Sequence, residues 1–351
     1  MEMDEYPKST RRNRVFILGA GFSAGADIPM TGTLLAKAMI LCRAEASGLC
    51  ERIDNYARMA GGLGDEAEVD YTAVDFAELC TFLEFNELRE YAGGERWSDA
   101  GSREKLALRF YLAKTIARLT PRPADIPPLY LRFAEQLHRG DHVITFNWDT
   151  LLEIALLRVG KDFTYNGDTS GAIRLSKLHG SINWRLGEPS DYFSRPVNTL
   201  GWEPLGYLNP PLVPIEIYQT RRLLDSRVWD SYGWSRETEP FLVLPGQGKA
   251  YDVRSNAWNW YKPENFFCYT HDIYIIGLSL APDDFFIKSF FLYNLPQVHS
   301  YTGLLDRRIY IINPAKEVAQ NYEFILSDDR VCWLPENFST DHVDSMRRCL
   351  D

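Results

Sequence analysis

The feature of the sequence that most restricts its fold is a set of four short apolar runs rich in Val, Ile and Tyr. The runs are Val15–Leu18, Val143–Phe146, Ile273–Ile276 and Ile309–Ile312. Without an apolar/polar alternation, such runs are typical of strands buried on both faces of a parallel sheet. Small or polar residues follow each run, and segments of helical character then follow the last three, at 150–159, 283–295 and 314–325. The sequence therefore predicts an α/β fold with a Rossmann-like, doubly wound parallel sheet.

Two long segments separate the predicted strands. Residues 32–140 are predicted to be largely helical, with good periodicity over Arg103–Leu119 and Pro128–Arg139. Residues 185–265 are rich in Pro and Gly. They also carry five tryptophans, Trp202, Trp229, Trp234, Trp258 and Trp260.

Because the strands that must pair lie on either side of these segments, we interpret both segments as insertions into one sheet. The chain 1–351 is then a single domain. Its core strands are expected within 14–31, 141–184 and 240–335.

Composition and charge exclude several classes of protein. The chain has 351 residues, of which 45% are hydrophobic and 25% charged, which is typical of a soluble globular protein. Its formal net charge of −10 disfavours a protein that coats DNA or RNA, so no direct nucleic-acid binding is expected. No apolar stretch approaches the roughly 20 residues that span a bilayer, so no membrane association is expected.

The cysteines and the amino-terminal segment indicate a compartment. No two of the six cysteines form a C-x-x-C pair, which disfavours a four-cysteine zinc site and favours reduced, intracellular cysteines. The charged segment MEMDEYPKSTRRNR lacks the apolar region of a signal peptide. We therefore expect a cytoplasmic location.

The first strand leads into a glycine-rich turn, Gly19-Ala20-Gly21-Phe22-Ser23. Glycines let a backbone turn tightly and approach a pyrophosphate, and the start of the next helix offers free N–H groups. Gly19, Gly21 and Gly25 have the spacing G-x-G-x-x-x-G, which is one residue longer than the usual dinucleotide fingerprint. A tight strand-to-helix turn without a ligand is the alternative.

Polar residues also follow the other predicted strands. Asn147 and Asp149 come after the second run, where they could face a ligand or only cap the next helix. His179 lies between an apolar run and a Gly-Ser turn. It could be a titratable residue at the edge of a cleft, or it could be a structural histidine. Gly277, Ser279 and Asn313 follow the third and fourth runs and could equally form ordinary turns. Together, these small donors at the strand ends favour a nucleotide site.

Five motifs in this order, GAGFSAGADIP, TFNWD, KLHGS, IIGLS and IINP, resemble the sirtuin family of NAD-binding proteins. They are most similar to the bacterial sirtuin-like NADase effectors of anti-phage defence. The resemblance is carried by these motifs, which are spread over about 15–314. The long segments between the motifs do not resemble the family.

The resemblance implies a role for each matching residue. Gly19, Ala20, Gly21 and Ser23 would hold the pyrophosphate of NAD. Asn147 would contact the nicotinamide ribose and place a water, and Asp149 would help to seat the carboxamide. His179 matches the catalytic histidine of the family. Ser279 and Asn313 would lie along the adenosine half, and Gly277 would belong to the same cofactor-binding site.

The sequence departs from sirtuin deacylases in two places. Ile28-Pro29 leads into Met30-Thr31-Gly32 rather than Asp-Phe-Arg, and the four-cysteine zinc module is missing. These departures put the protein-substrate side of deacylation in doubt and favour hydrolysis of NAD itself, with NAD as the substrate and no metal. An NAD or ADP-ribose sensor without turnover is the alternative, followed by a protein deacylase. A nuclease is also conceivable, but the sequence has no spaced carboxylate cluster for a two-metal site.

An activity that depletes NAD is expected to be gated. The resemblance implies a homo-oligomer, or activation by a partner such as a HerA-type ATPase or another defence protein. The chain has no P-loop motif of its own. The aromatic-rich insertion is a candidate assembly surface, and a local core of these rings is the alternative.

Overall fold

The structure is a computed structural model. It describes residues 13–64, 67–91, 103–165, 171–186, 212–226, 240–247, 270–280, 284–300, 308–323 and 331–348, together with Lys249, Asp252, Val253 and Phe267.

The core is a seven-stranded sheet in the order β3-β4-β2-β1-β7-β8-β9, and all of its paired strands run parallel. A separate antiparallel ribbon pairs β5 with β6. The strands are β1 (Arg14–Leu18), β2 (His142–Thr145), β3 (Phe163–Thr164), β4 (Ile173–Lys177), β5 (Trp184–Leu186), β6 (Leu212–Pro214), β7 (Asp272–Ile276), β8 (Arg308–Ile312) and β9 (Val331–Leu334). The predicted α/β fold with a Rossmann-like parallel sheet is confirmed, and the four apolar runs form β1, β2, β7 and β8.

The described helices alternate with the strands along much of the chain. They are α1 (Ala20–Ser23), α2 (Thr31–Ala60), α3 (Phe76–Tyr91), α4 (Arg103–Leu119), α5 (Pro128–Gln136), α6 (Leu151–Arg158), α7 (Ile217–Ser226), α8 (Phe285–Ser300), α9 (Lys316–Glu323) and α10 (Thr340–Arg348). Two short 3₁₀ turns lie at Ala24–Ala26 and Pro123–Asp125.

The sheet is buried on both faces because successive residues of each strand enter opposite apolar layers. On β1, Phe16 and Leu18 pack with α5, α6 and α10, whereas Val15 and Ile17 pack with α8 and α9. Because both faces of the sheet are buried, the sequences of these strands are continuous apolar runs rather than alternating apolar and polar residues.

Helices α2, α3 and α4, within the segment predicted to be a helical insertion, form a third apolar cluster together with Ile182, Leu224, Leu242 and Leu244. Helix α5 lies in the same predicted segment, but it packs on the sheet through Tyr130 and Phe133. In the predicted aromatic-rich insertion, the structure describes β5, β6 and α7, and the five tryptophans lie outside the described residues.

The expectation of reduced cysteines is wrong for one pair. Cys42 and Cys50 are joined by a disulfide, with their Cα atoms 6.6 Å apart. A straight helix would separate residues at this spacing by about 12 Å along its axis. Ala46 lies between them with non-helical dihedral angles (φ −151°, ψ 57°), and this break in α2 brings the two cysteines together.

The loops after β1 and β7 touch through their backbones. A Cβ atom on Gly19 would lie 2.5 Å from the Leu278 Cα atom, and one on Gly21 would lie 2.8 Å from the Gly277 Cα atom. Gly277 itself has φ +62°, and its Cβ would lie 2.3 Å from the Phe22 amide nitrogen. These glycines are therefore required by the packing of one loop against the other.

Gly277→Ala should destabilise the protein by more than about 2 kcal/mol, because it combines a left-handed backbone with a clash against backbone atoms. Gly160→Ala is a matched control, since Gly160 has φ +73° but nothing within 4 Å of its Cβ position. We expect the control to cost only about 1–2 kcal/mol. Urea unfolding of both variants measures the difference, and equal losses would contradict the role given to the loop contact.

Candidate functional site

The order of the strands makes β1 the topological switch point of the sheet. The chain runs from β1 to β2 and β4 on one side and later returns to β7 on the other. In sheets of this kind, ligands bind beyond the carboxyl ends of the strands at such a point. The loops after β1, β2, β4 and β7 meet at this edge, and they carry most of the residues singled out from the sequence.

A chain of hydrogen bonds joins the loops after β1 and β2. The Asn147 Nδ2 atom donates to the Gly19 carbonyl oxygen (2.9 Å) and to the Ser23 Oγ atom (3.1 Å). The Ser23 hydroxyl in turn donates to Asp149 Oδ2 (2.9 Å). Ser23 and Asp149 are buried, and Asn147 is half-buried. Three residues predicted for the site are thus brought into direct contact.

Asp149 also caps a helix, as the alternative interpretation of the sequence expected. Its Oδ1 atom accepts from the Leu151 amide (3.0 Å) at the start of α6. Both carboxylate oxygens therefore already hold one hydrogen bond, and further acceptance from a ligand would use their remaining lone pairs.

The amides of Gly19 and Gly21 are engaged within the protein. Gly19 donates to the Ile276 carbonyl (3.0 Å) and Gly21 donates to the Gly277 carbonyl (2.9 Å). A pyrophosphate would have to take its hydrogen bonds from other groups on these loops. Ala20 and Ser279 are the exposed residues among those predicted to bind the cofactor.

His179 lies on the loop after β4, next to the loop that carries Asn147. Its ring contacts the Phe146 ring edge-on, with centroids 5.0 Å apart. Its carbonyl accepts from the Trp148 indole (3.0 Å) and from the Val243 amide (2.8 Å). The Trp148 carbonyl accepts in return from the Ile182 amide (3.0 Å). These bonds fix the two loops to each other on both sides of Trp148.

Burial lowers the pKa of His179 well below its usual value, and the positive charge of Lys249 lowers it further. The Nε2 atom is out of contact with solvent. Lys249 is buried and forms an ion pair with Asp284 (2.7 Å). At neutral pH the imidazole is therefore uncharged.

The loops after β7 and β8 are tied together by Asn313. Its Nδ2 atom donates to the Leu278 carbonyl (3.2 Å), and its Oδ1 atom accepts from the Ala315 amide (3.0 Å). The Gly277 amide donates to the Ile312 carbonyl (2.9 Å). The observed contacts of Gly277 and Asn313 hold loops in place. The cofactor contact of Gly277 and the role of Asn313 along the adenosine half stay predictions.

Sequence reasoning missed four charged or polar side chains beneath the site: Lys177, Glu153, Tyr165 and Lys249. The signal in the sequence was a charge inside an apolar segment. Glu153 interrupts the apolar segment Leu151–Leu157, and Lys177 lies between Leu175 and Leu178 at the end of β4. Buried charges are rare unless they are paired, so such positions mark built interactions.

Two further features concern the described part of the chain alone. No group of three or more His, Cys, Asp or Glu side chains there is arranged to hold a metal ion. None of the helices in that part is both long and apolar enough to cross a bilayer.

No family model matches the sequence, and no curated protein is significantly similar to it. Solved Sir2 structures align over nearly all of the chain. A Sir2 homologue in complex with NAD is 15% identical, with 97% of this chain and 92% of that chain covered and a TM-score of 0.46. A Sir2 in complex with the inhibitor EX-527, 2'-O-acetyl-ADP-ribose and a deacetylated p53 peptide is 12% identical, with 97% and 93% covered and a TM-score of 0.40. The likeness is one of fold alone and assigns no residue a role.

The neutral state of His179 predicts a pH dependence of stability. The unfolded chain binds a proton near pH 6.5 that the buried imidazole does not bind, so stability falls as the pH falls through that value. Between pH 7.5 and 5.5 the parent should lose about 1.4 kcal/mol more than His179→Gln. Urea unfolding at both pH values measures this, and parallel losses in the two proteins would show that the imidazole is not desolvated.

Proposed function

We propose that this protein hydrolyses NAD at the bond between nicotinamide and ribose, and releases nicotinamide and ADP-ribose. The observation that carries the proposal is the hydrogen-bonded chain Asn147–Ser23–Asp149 at the carboxyl edge of the sheet, with an uncharged His179 on the adjoining loop. The motifs that resemble sirtuins lie on the same loops.

The chemistry demands little beyond positioning. The leaving nicotinamide is a cationic pyridinium in NAD, so it departs as a neutral molecule with the electron pair of the broken bond and needs no strong acid. The site must hold the ribose, stabilise positive charge on it and present a water. Preorganised dipoles and fixed geometry supply such catalysis.

Asn147 is oriented to accept rather than to donate. Both hydrogens of its Nδ2 group are committed to Gly19 and Ser23, so the Oδ1 atom is the group that it offers to a ligand. In the proposed reaction, this oxygen accepts a hydrogen bond from a ribose hydroxyl or from the attacking water.

His179 is proposed as the base. The water oxygen bonds to the anomeric carbon as the nicotinamide bond breaks, and the water proton passes to the neutral imidazole. Asp149 is proposed to accept from the nicotinamide carboxamide and to favour the developing positive charge. No metal takes part in these steps.

The glycine-rich loop offers fewer free backbone amides to a pyrophosphate than its sequence suggests. Because the Gly19 and Gly21 amides are engaged, we assign the pyrophosphate to the exposed Ala20 backbone and the exposed Ser279. Gly19, Gly21 and Gly277 then act by allowing the two loops to approach each other, with Asn313 fixing the far loop.

We further propose that the activity belongs to a gated effector that depletes cytoplasmic NAD in anti-phage defence. Support comes from the similarity of the five motifs to those of the sirtuin-like NADase effectors and from the missing zinc module of the deacylases. A homo-oligomer or a HerA-type ATPase partner is the proposed gate.

Asn147→Ala and His179→Ala should each lower the rate of NAD cleavage by about 10²–10³-fold, as expected for the loss of a preorganised contact or a base. Asn55→Ala is the matched control, because Asn55 is exposed on α2. Chromatography of nicotinamide and ADP-ribose after incubation, with the candidate partner present and absent, measures the rates.

Cleavage by both site variants at the parental rate would refute the assigned roles. Tight NAD binding by calorimetry without turnover, with or without the partner, would instead establish the sensor alternative. Release of acyl groups from acylated peptides in the presence of NAD would establish a deacylase.

A further inference from the structure

A buried ion pair lies directly beneath the two loops of the proposed site. The Lys177 Nζ atom donates to Glu153 Oε1 (2.9 Å), and the two side chains are 1% and 2% exposed. The Tyr165 hydroxyl also donates to Glu153 Oε1 (3.0 Å). Burial and the neighbouring carboxylate raise the pKa of Tyr165 well above its usual value, so the hydroxyl keeps its proton.

The pair reaches the site through the backbone of Asp149. The Lys177 Nζ atom donates a second hydrogen bond to the Asp149 carbonyl oxygen. Asp149 therefore has its carboxylate held by Ser23 and Leu151 and its carbonyl held by Lys177. A positively charged donor makes a stronger hydrogen bond to a carbonyl than a neutral one does.

The pair also connects the two loops along the chain. Lys177 is the last residue of β4, two residues before His179, and Glu153 lies in the first turn of α6, four residues after Asp149. One ion pair thus links the loop that carries Asn147 and Asp149 to the loop that carries His179. Trp148, on the first of these loops, also links the two, because its indole N–H donates to the His179 carbonyl oxygen.

We propose that Lys177 and Glu153 are positioning residues, which fix the spacing between the Asn147–Asp149 loop and the His179 loop. This inference rests on the proposed NAD hydrolysis for its catalytic consequence. The pair holds Asp149 and bonds to Tyr165, whereas the Gly19, Gly21 and Gly277 loops also make backbone contacts with each other. Its loss should therefore lower kcat more than it raises KM, because the pyrophosphate is assigned to those loops.

The chain offers a matched control at the opposite edge of the same sheet. Arg14, at the start of β1, forms an equally buried pair with Asp141 (2.6 Å), and both side chains are 0% exposed. Removing a buried pair changes stability wherever it lies, but of these two pairs the Lys177–Glu153 pair is the one that bonds to Asp149 of a site loop.

The test compares Lys177→Met/Glu153→Gln with Arg14→Met/Asp141→Asn, because removal of both charges avoids a lone buried ion. At a temperature where circular dichroism shows both to be folded, the first should lose about 10–100-fold in kcat with a smaller change in KM, as expected for catalytic groups displaced by about an ångström. The control should stay within about twofold of the parental kcat. Equal losses in the two variants would overturn the proposal.

A second readout does not depend on activity. The indole N–H resonance of Trp148, assigned with Trp148→Phe, should shift and exchange faster with solvent in the Lys177/Glu153 variant and stay unchanged in the control. An unchanged resonance in both would overturn the positioning role. A shifted resonance in a protein that cleaves no NAD would sustain the positioning role and refute the proposed function.

Discussion

The roles proposed for Asn147 and for its link to the glycine-rich loop depend on the two hydrogen bonds that the Asn147 amide donates. They join the loop after β2 to the Gly19 carbonyl and the Ser23 hydroxyl of the loop after β1. They also decide which end of the amide faces outward, because a carbonyl acceptor admits only the Nδ2 group. Without them, Asn147 would be an ordinary polar residue after a strand, with no link to the Ser23–Asp149 hydrogen bond.

The parallel sheet makes this convergence possible. Residues that are 124 positions apart in the sequence, Asn147 and Ser23, meet because parallel strands bring their carboxyl ends to one edge. The close approach of the β1 and β7 loops narrows the same edge, and it requires glycine at 19, 21 and 277. Gly19 therefore serves both purposes, because it allows the β1 and β7 loops to approach each other and its carbonyl accepts the bond from Asn147.

Much of this arrangement could be predicted from the sequence, since burial on two faces leaves an unmistakable pattern. The apolar runs at β1, β2, β7 and β8 predicted the central strands, and the small or polar residues after them predicted the loops. The short edge strand β3 has only two residues and leaves no comparable pattern. The disulfide between Cys42 and Cys50 was missed, because it depends on a break in α2 at Ala46, for which the neighbouring Gly48 was the signal in the sequence.

The charged residues beneath the site were harder to predict for a different reason. A lysine at the end of a strand and a glutamate in a helix are usually solvated, so the apolar neighbours of Lys177 and Glu153 indicate burial but not that the two side chains pair with each other. The engagement of the Gly19 and Gly21 amides is likewise a matter of contact between distant segments. Motifs can indicate which residues reach a site, but not which of their atoms remain available to a ligand.

The most direct test is a crystal structure of the His179→Ala variant with intact NAD. The proposed site predicts that a nicotinamide-ribose hydroxyl, or a water beside the anomeric carbon, bonds to Asn147 Oδ1, with the pyrophosphate against Ala20 and Ser279. NAD bound at another part of the molecule, or at this edge with its ribose away from Asn147, would contradict it.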